Sequence, residues 1–316
     1  MSDIARQRAE RLASLPFEVV GSSYRSFFSG TGDSLRQLWQ QRELLGMLVR
    51  RELKARYKDS SLGFLWSLIR PIMLLLVYYF AIGKVLNAQA SIPMFAIFVF
   101  SGLTLWGLFN EILTSATQSI LTNAGLIKKV YVPREVFPLA SVGSALFNFG
   151  VQLGVLIVAI LAFGQFTWSW DIFYFFPAVI VVLLFGAGLG ILLSALNVYL
   201  RDVQYLVDVA TLLLFWASPV VYSFTLIARS DFANTWVESV YLLNPITVAI
   251  LAFQRAMWLP GPSVQEQFAK MGVSPASAYP PDLDLRLIIL MIIGVVFIWI
   301  SHRIFLRLQG NFAQEI

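Results

Sequence analysis

Six stretches of this chain are long and nearly free of charge: 62–85, 95–119, 136–163, 172–200, 205–226 and 285–306. Each is of the length, about 20 residues, that an α-helix needs to cross the hydrocarbon layer of a bilayer. Lipid offers the backbone no hydrogen-bond partners, so an apolar stretch of this kind satisfies its own N–H and C=O groups by coiling. The sequence therefore predicts an all-α membrane protein with six transmembrane helices. Composition agrees, since 58% of the 316 residues are hydrophobic and 13% are charged, too apolar a balance for a soluble domain of this size.

The segments between the spans carry their own signals. Residues 1–34 mix charge with Ser and Gly and read as a cytoplasmic extension. No apolar run marks a cleaved signal peptide there. Over 35–58, Leu35, Leu38, Trp39, Leu45, Leu48, Val49 and Leu53 recur at helical spacing, with Arg36, Arg50, Arg51 and Lys54 among the residues between them. This is a basic amphipathic helix of the kind that lies in the membrane interface. Residues 236–258 are apolar but interrupted by Glu238, Asn244-Pro245, Gln254 and Arg255. They fit a pair of short re-entrant helices on the extracellular side between spans five and six, with a seventh span as the alternative. Residues 259–284 then read as a proline-rich aqueous loop, and 307–316 as a cytoplasmic tail.

Charge orients the whole. Of the Lys and Arg residues, 17 fall on the side that holds both termini under a six-span arrangement, and five on the other. By the positive-inside rule the basic side is cytoplasmic. A seventh span would carry Arg303 and Arg307 to the wrong side.

Several chemistries are not expected. The chain has no cysteine and no cluster with metal-ligand spacing, so neither a catalytic nor a metal site is assigned. It has no G-x-x-x-x-G-K-[ST] loop, so it is not expected to bind nucleotide in the P-loop manner. His302, among Arg303 and Arg307, reads as an interfacial side chain at a helix end. Arg70, Glu111 and Asp208 lie near the cytoplasmic ends of spans. For Glu111, a helix-end pairing with a nearby base and a proton relay both stand open. The aromatics Trp66, Tyr78, Tyr79, Phe215, Trp216 and Tyr222 fit an interface belt. They also fit a path along which aromatic faces stack on sugar rings.

The segment 123–138, NAGLIKKVYVPREVFP, is a charged, proline-punctuated loop between two apolar spans on the basic side. Together with RRELKARYKDSSLGFLWSLIRP, NVYLRDVQYL, SPVVYS and NPIT, in that order, it resembles the membrane permease of type-2 ABC transporters that export cell-surface polysaccharides. These include O-antigen, capsule, teichoic acid and galactan exporters. The resemblance spans residues 35–306. It implies a 62–306 permease domain that dimerises with a second copy of itself in the bacterial plasma membrane. It also implies pairing with two separate ATP-binding subunits, which would bind the ATP and Mg; no cofactor is expected in this chain.

Carried over residue by residue, the resemblance makes Asn123, Leu126, Ile127, Lys128, Lys129, Tyr131, Pro133, Arg134 and Glu135 a coupling loop that docks into the ATPase. Asn197, Arg201 and Asp202 would form a second contact. Arg50, Arg51, Lys54, Arg56, Lys58 and Arg70 suit the entrance for a polyprenyl-pyrophosphate-linked polysaccharide, or simple attraction to anionic membrane lipid. No nucleic-acid partner is expected. The departures are Arg70 before Pro71, the N-terminal extension and the long loop after Trp258. A membrane-embedded transferase on a polyprenyl-linked donor is the rival reading, and a drug or lipid cargo a third.

Overall fold

The computed structural model describes residues 31–57, 66–85, 92–129, 132–228 and 235–315, and within these it contains helices and turns but no strand. In chain order the main helices are α1 (Thr31–Gln40), α2 (Arg42–Tyr57), α3 (Trp66–Tyr78), α4 (Phe95–Thr122), α5 (Val136–Ala162) and α6 (Phe175–Tyr199). They continue with α7 (Val203–Trp216), α8 (Trp236–Leu243), α9 (Pro245–Met257), α10 (Pro262–Lys270) and α11 (Leu283–Leu308).

Four helices are long and apolar enough to cross a membrane: Phe95–Thr122, Val136–Ala162, Trp170–Tyr199 and Leu283–Asn311. They match the second, third, fourth and sixth expected spans. The other two differ. The first span starts in part outside the described residues; its visible portion is α3, followed by π-helical turns over Tyr79–Val85. The fifth, expected over 205–226, is helical only to Trp216 in α7. Pro219 is the reason, because it disfavours helical backbone at the residue before it and lacks an N–H of its own. The chain then turns through Ser218–Ser223 and makes a single helical turn, Thr225–Ala228.

α8 and α9 meet at an angle of 80°. Asn244 sets that bend. Its backbone is extended, as a residue before proline prefers, and its Oδ1 accepts from the Ile246 amide at 3.0 Å while Pro245 opens α9. Asn244 Nδ2 also reaches Ser218 Oγ at 3.3 Å, and Thr247 donates to the Ala217 carbonyl at 3.3 Å. The break in α7 and the bend before α9 are thus one joined structure.

α4 is the axis of the molecule. It packs on α5, α6 and α9, and most of its length is buried. In lipid, helix association draws little on the hydrophobic effect and depends on close packing and polar contacts. The small residues of α6 supply that packing. A Cβ on Gly190 would lie 2.8 Å from Ala116 of α4, and one on Gly188 would lie 2.8 Å from Phe297 of α11. The 186–190 run therefore brings α6 close to two neighbours on opposite faces. Residues 259–284 are also more ordered than an aqueous loop. Val264 and Phe268 are the buried residues of α10, Ala278 and Tyr279 are buried after it, and Trp258 meets Phe268 edge to face.

Candidate functional site

Seen from its basic end, the molecule gathers the expected loop residues around the foot of α4. Asn123 ends α4 and begins a one-turn helix, Ala124–Ile127. Its carbonyl accepts from the Leu126 and Ile127 amides at 2.9 and 3.1 Å, and its Nδ2 donates back to the Ser119 carbonyl at 2.8 Å. Lys128 and Lys129 follow, exposed, while Leu126 and Ile127 turn toward an apolar cluster built by α2, α5, α6 and the end of α11. Tyr131 and Lys58 lie outside the described residues, as does the side chain of Arg70. Pro133 and Arg134 are half-buried, with the Arg134 guanidinium 5.5 Å over the Phe312 ring.

The C-terminal residues form part of this site. Of the expected tail, the described residues 307–315 fold back. Phe312 is fully buried, packs edge to face on Phe305, and sits beneath Arg134. Tyr199 at the end of α6 donates its hydroxyl to the Leu308 carbonyl at 2.6 Å. His302, near the C-terminal end of α11, is buried in the chain, with Nε2 3.6 Å from Oε1 of the buried Glu135. Helical periodicity turns His302 toward the core beside Ser301 and Phe305, which a local reading of its charged neighbours does not reveal. Of the second expected contact, Arg201 and Asp202 are exposed in the turn before α7, whereas Asn197 is fully buried and donates to the Thr117 carbonyl at 3.0 Å. Asn197 therefore ties α6 to α4 and supports the turn from behind.

The amphipathic segment is two helices, broken at Gln41. α1 leaves Trp39 exposed under the Arg42 guanidinium, and α2 docks on α5 through Leu45, Leu48 and Val49. A Cβ on Gly143 of α5 would come within 2.7 Å of Val49. The basic residues of α2 do not share one environment. Arg51 donates to Asn123 Oδ1, and Arg56 pairs with Glu111 of α4, which also accepts from Asn148 Nδ2 at 2.5 Å. Arg50 and Lys54 are exposed. Between them Glu52 points into the protein, accepting from Ser144 at 2.9 Å and Ser141 at 3.4 Å. Burial raises the Glu52 carboxyl above its ordinary range, opposed by those two hydroxyls and by the charges of Arg51 and Arg56. Glu111 is paired with a base, as one of its two readings expects, but it sits well inside α4 (Phe95–Thr122) rather than at a helix end.

The aromatic set divides. Tyr78 of α3 lies 6.0 Å from Phe215 of α7, and Phe215 lies 5.5 Å from both Trp216 and Trp106 of α4. Tyr222 folds back to donate to the Trp216 carbonyl at 3.0 Å. These four expected residues, with Trp106 added, form one patch where α3 and α7 flank α4. Trp66 is exposed elsewhere on α3, and Tyr79 packs on Phe80 with Lys84 over its ring. Nothing in local spacing separates Trp106 from the other aromatics; only the packing of α4 brings it to the patch. At the far end, Arg255 of α9 bonds Asp171 at 2.8 Å and stacks 4.2 Å over Tyr174, whose hydroxyl donates to Asp284 of α11. Among the described residues no group of three or more His, Cys, Asp or Glu is placed to hold a metal.

The described residues thus form a bundle of apolar helices with Lys128, Lys129 and Arg134 at one end. Residues 43–258, more than half of the chain, match the ABC-2 type transporter family, and the chain belongs to that family. It is 31% identical over 282 residues to the O-antigen export system permease protein RfbA of Myxococcus xanthus, covering 89% of this chain and 98% of that protein. The Klebsiella pneumoniae protein of the same name is 31% identical over 216 residues, covering 67% of this chain and 79% of its own length. The capsule polysaccharide export inner-membrane protein CtrC of Neisseria meningitidis serogroup B is 27% identical over 160 residues, or 49% of this chain and 59% of that protein. The chain is thus a transporter component rather than an enzyme.

Proposed function

We propose that this chain is the permease subunit of an ATP-driven exporter that moves a polyprenyl-pyrophosphate-linked polysaccharide across the bacterial inner membrane. The observation that carries this reading is its similarity to an O-antigen export permease over 98% of that protein's length. Two copies would pair with two ATP-binding subunits, which hold the ATP and Mg. Each copy would cross the membrane six times with both termini in the cytoplasm, the charge bias supplying the orientation. The bent α8–α9 pair would enter and leave from the extracellular side. Irregular backbone at membrane depth is tolerated when it is buried in protein, and the bonds of Asn244 and Thr247 to the α7 break give it that setting.

In this reading the ATPase meets the exposed Lys128 and Lys129 and the Arg134 that follows, with Arg201 and Asp202 beside them. A short helix at a loop can carry a rigid-body motion of its partner into the spans. The lipid pyrophosphate is drawn to the basic face of α2, and the glycan passes the aromatic patch of Tyr78, Phe215, Trp216 and Tyr222. Reversing charge at Lys128, Lys129 and Arg134 together, each to Asp, is expected to abolish co-purification with the ATP-binding subunit or ATP-dependent glycan export in proteoliposomes. Normal association and normal export by that variant would remove the loop from the coupling role.

A further inference from the structure

The charges of α2 divide by register. Glu52 and Arg56 are one helical turn apart, so they share the face that meets α4 and α5, with Arg51 at its margin. Three successive rungs of polar contact join α2 to the rest of the chain among the described residues. Arg51 reaches Asn123, Glu52 takes the hydroxyls of Ser141 and Ser144, and Arg56 reaches Glu111, itself held by Asn148. Arg50 and Lys54 lie off this face and are exposed.

We propose that these rungs are the positioning residues that make α2 move with the loop following α4, so that a stroke delivered at Asn123–Glu135 shifts the entrance formed by α2. Three features of the geometry support it. Asn123 is a junction: its backbone amide and its Nδ2 both bond the Ser119 carbonyl at the end of α4, while its Oδ1 takes the Arg51 guanidinium. Displacement of the loop therefore displaces the anchor of Arg51. The Glu111 side chain is 19% exposed and that of Arg56 39%, so salt screens their pairing only in part. Close apolar packing of Val49 on Gly143 completes the contact and leaves α2 little freedom to slide. Arg51 and Arg56 are thereby occupied by the protein itself. Both still show part of their side chains to solvent, as do Arg50 and Lys54, so all four present charge on the outer side of α2.

The proposal rests on the coupling reading, and the test separates the two. The chain has no cysteine, so Ala55→Cys on the exposed face of α2 gives a single reporter. Its labelling rate with a charged, membrane-impermeant maleimide is measured in the complex with the ATP-binding subunit, without nucleotide and after trapping with ADP and vanadate. Trapping is expected to change the rate by at least about fivefold, the low end of typical coupling between sites. Glu111→Gln, and separately Ser141→Ala with Ser144→Ala, are expected to abolish the change while the complex still co-purifies. The exchanged pair, Arg56→Glu with Glu111→Arg, is expected to restore it, an outcome that a general loss of folding could not give. A trapping response that survives in Glu111→Gln and in the paired serine variant, or one absent from the parent complex, overturns the proposal. Failure of the parent chain to co-purify with the ATP-binding subunit overturns the coupling reading and this proposal with it.

Discussion

Glu52 shows how much a single residue depends on its neighbours in space. In sequence it is one acid in a basic helix and stands out in no motif. In the fold it is turned into α5, where Ser141 and Ser144 donate to it. Burial nonetheless raises its pKa above the ordinary 4.5. A carboxyl that holds its proton more tightly when folded adds stability that is complete below the unfolded value and is lost as pH rises through the folded value. The docking of α2 should therefore loosen as pH climbs from about 4.5 through the raised value, and Glu52→Gln should flatten that part of the stability profile. Thermal unfolding of the detergent-solubilised protein across this pH range checks it, and parallel profiles for the two proteins would refute it. Glu111 is legible as an acid seeking a base, although it lies inside α4 and not at its end. Its base, Arg56, is 55 positions away in the chain, beyond the reach of any local pattern.

At the scale of elements, apolar length finds the four spans that stand as single long helices but not where the fifth stretch breaks. α7 ends at Trp216 because Pro219 follows, and the signal was present in the motif SPVVYS. The run of apolar residues on either side concealed it. The bend before α9 was readable in Asn244-Pro245, since a capping side chain followed by proline at the first helical position is a local device. Its second function was not readable: Asn244 and Thr247 also bind the broken end of α7. Replacing Asn244 by Ala should cost about 1 kcal/mol for the cap, and more for the lost bond to Ser218. Exchange of the α9 amides, measured by hydrogen–deuterium exchange, should rise near Ile246 and also around Ala217–Val220. A rise confined to the cap would show that the two breaks are independent. The proline-rich loop was read as aqueous because its composition is that of a turn; the buried Val264 and Phe268 show that a short amphipathic helix covers the end of the bundle.

For the molecule as a whole, the exposed apolar surface is as informative as the core. α5, α7 and α11 expose Val158, Leu161, Leu206, Leu213, Ile292 and Val295, a surface that lipid or another copy of the chain would cover. The aromatic patch lies where α3 and α7 flank α4. If glycan passes there, Trp216→Ala and Tyr222→Ala should slow polysaccharide export several-fold while leaving assembly with the ATP-binding subunit intact. Each stacked ring contributes roughly 0.5–1.5 kcal/mol beyond its burial, enough to read in a flux assay. Unchanged flux would return both residues to the role of an interface belt.

The sequence by itself determined the helical class, four of the long spans, the Asn244 bend and the charged loop, because each follows from interactions within a turn or two of chain or from the length a bilayer demands. Tertiary structure alone decided which acid meets which base on α2, that His302 and Phe312 pack behind the loop, and that α7 and α9 break against each other. Those contacts join residues tens of positions apart, and the side chain that satisfies a buried charge is fixed by which helices come to lie side by side.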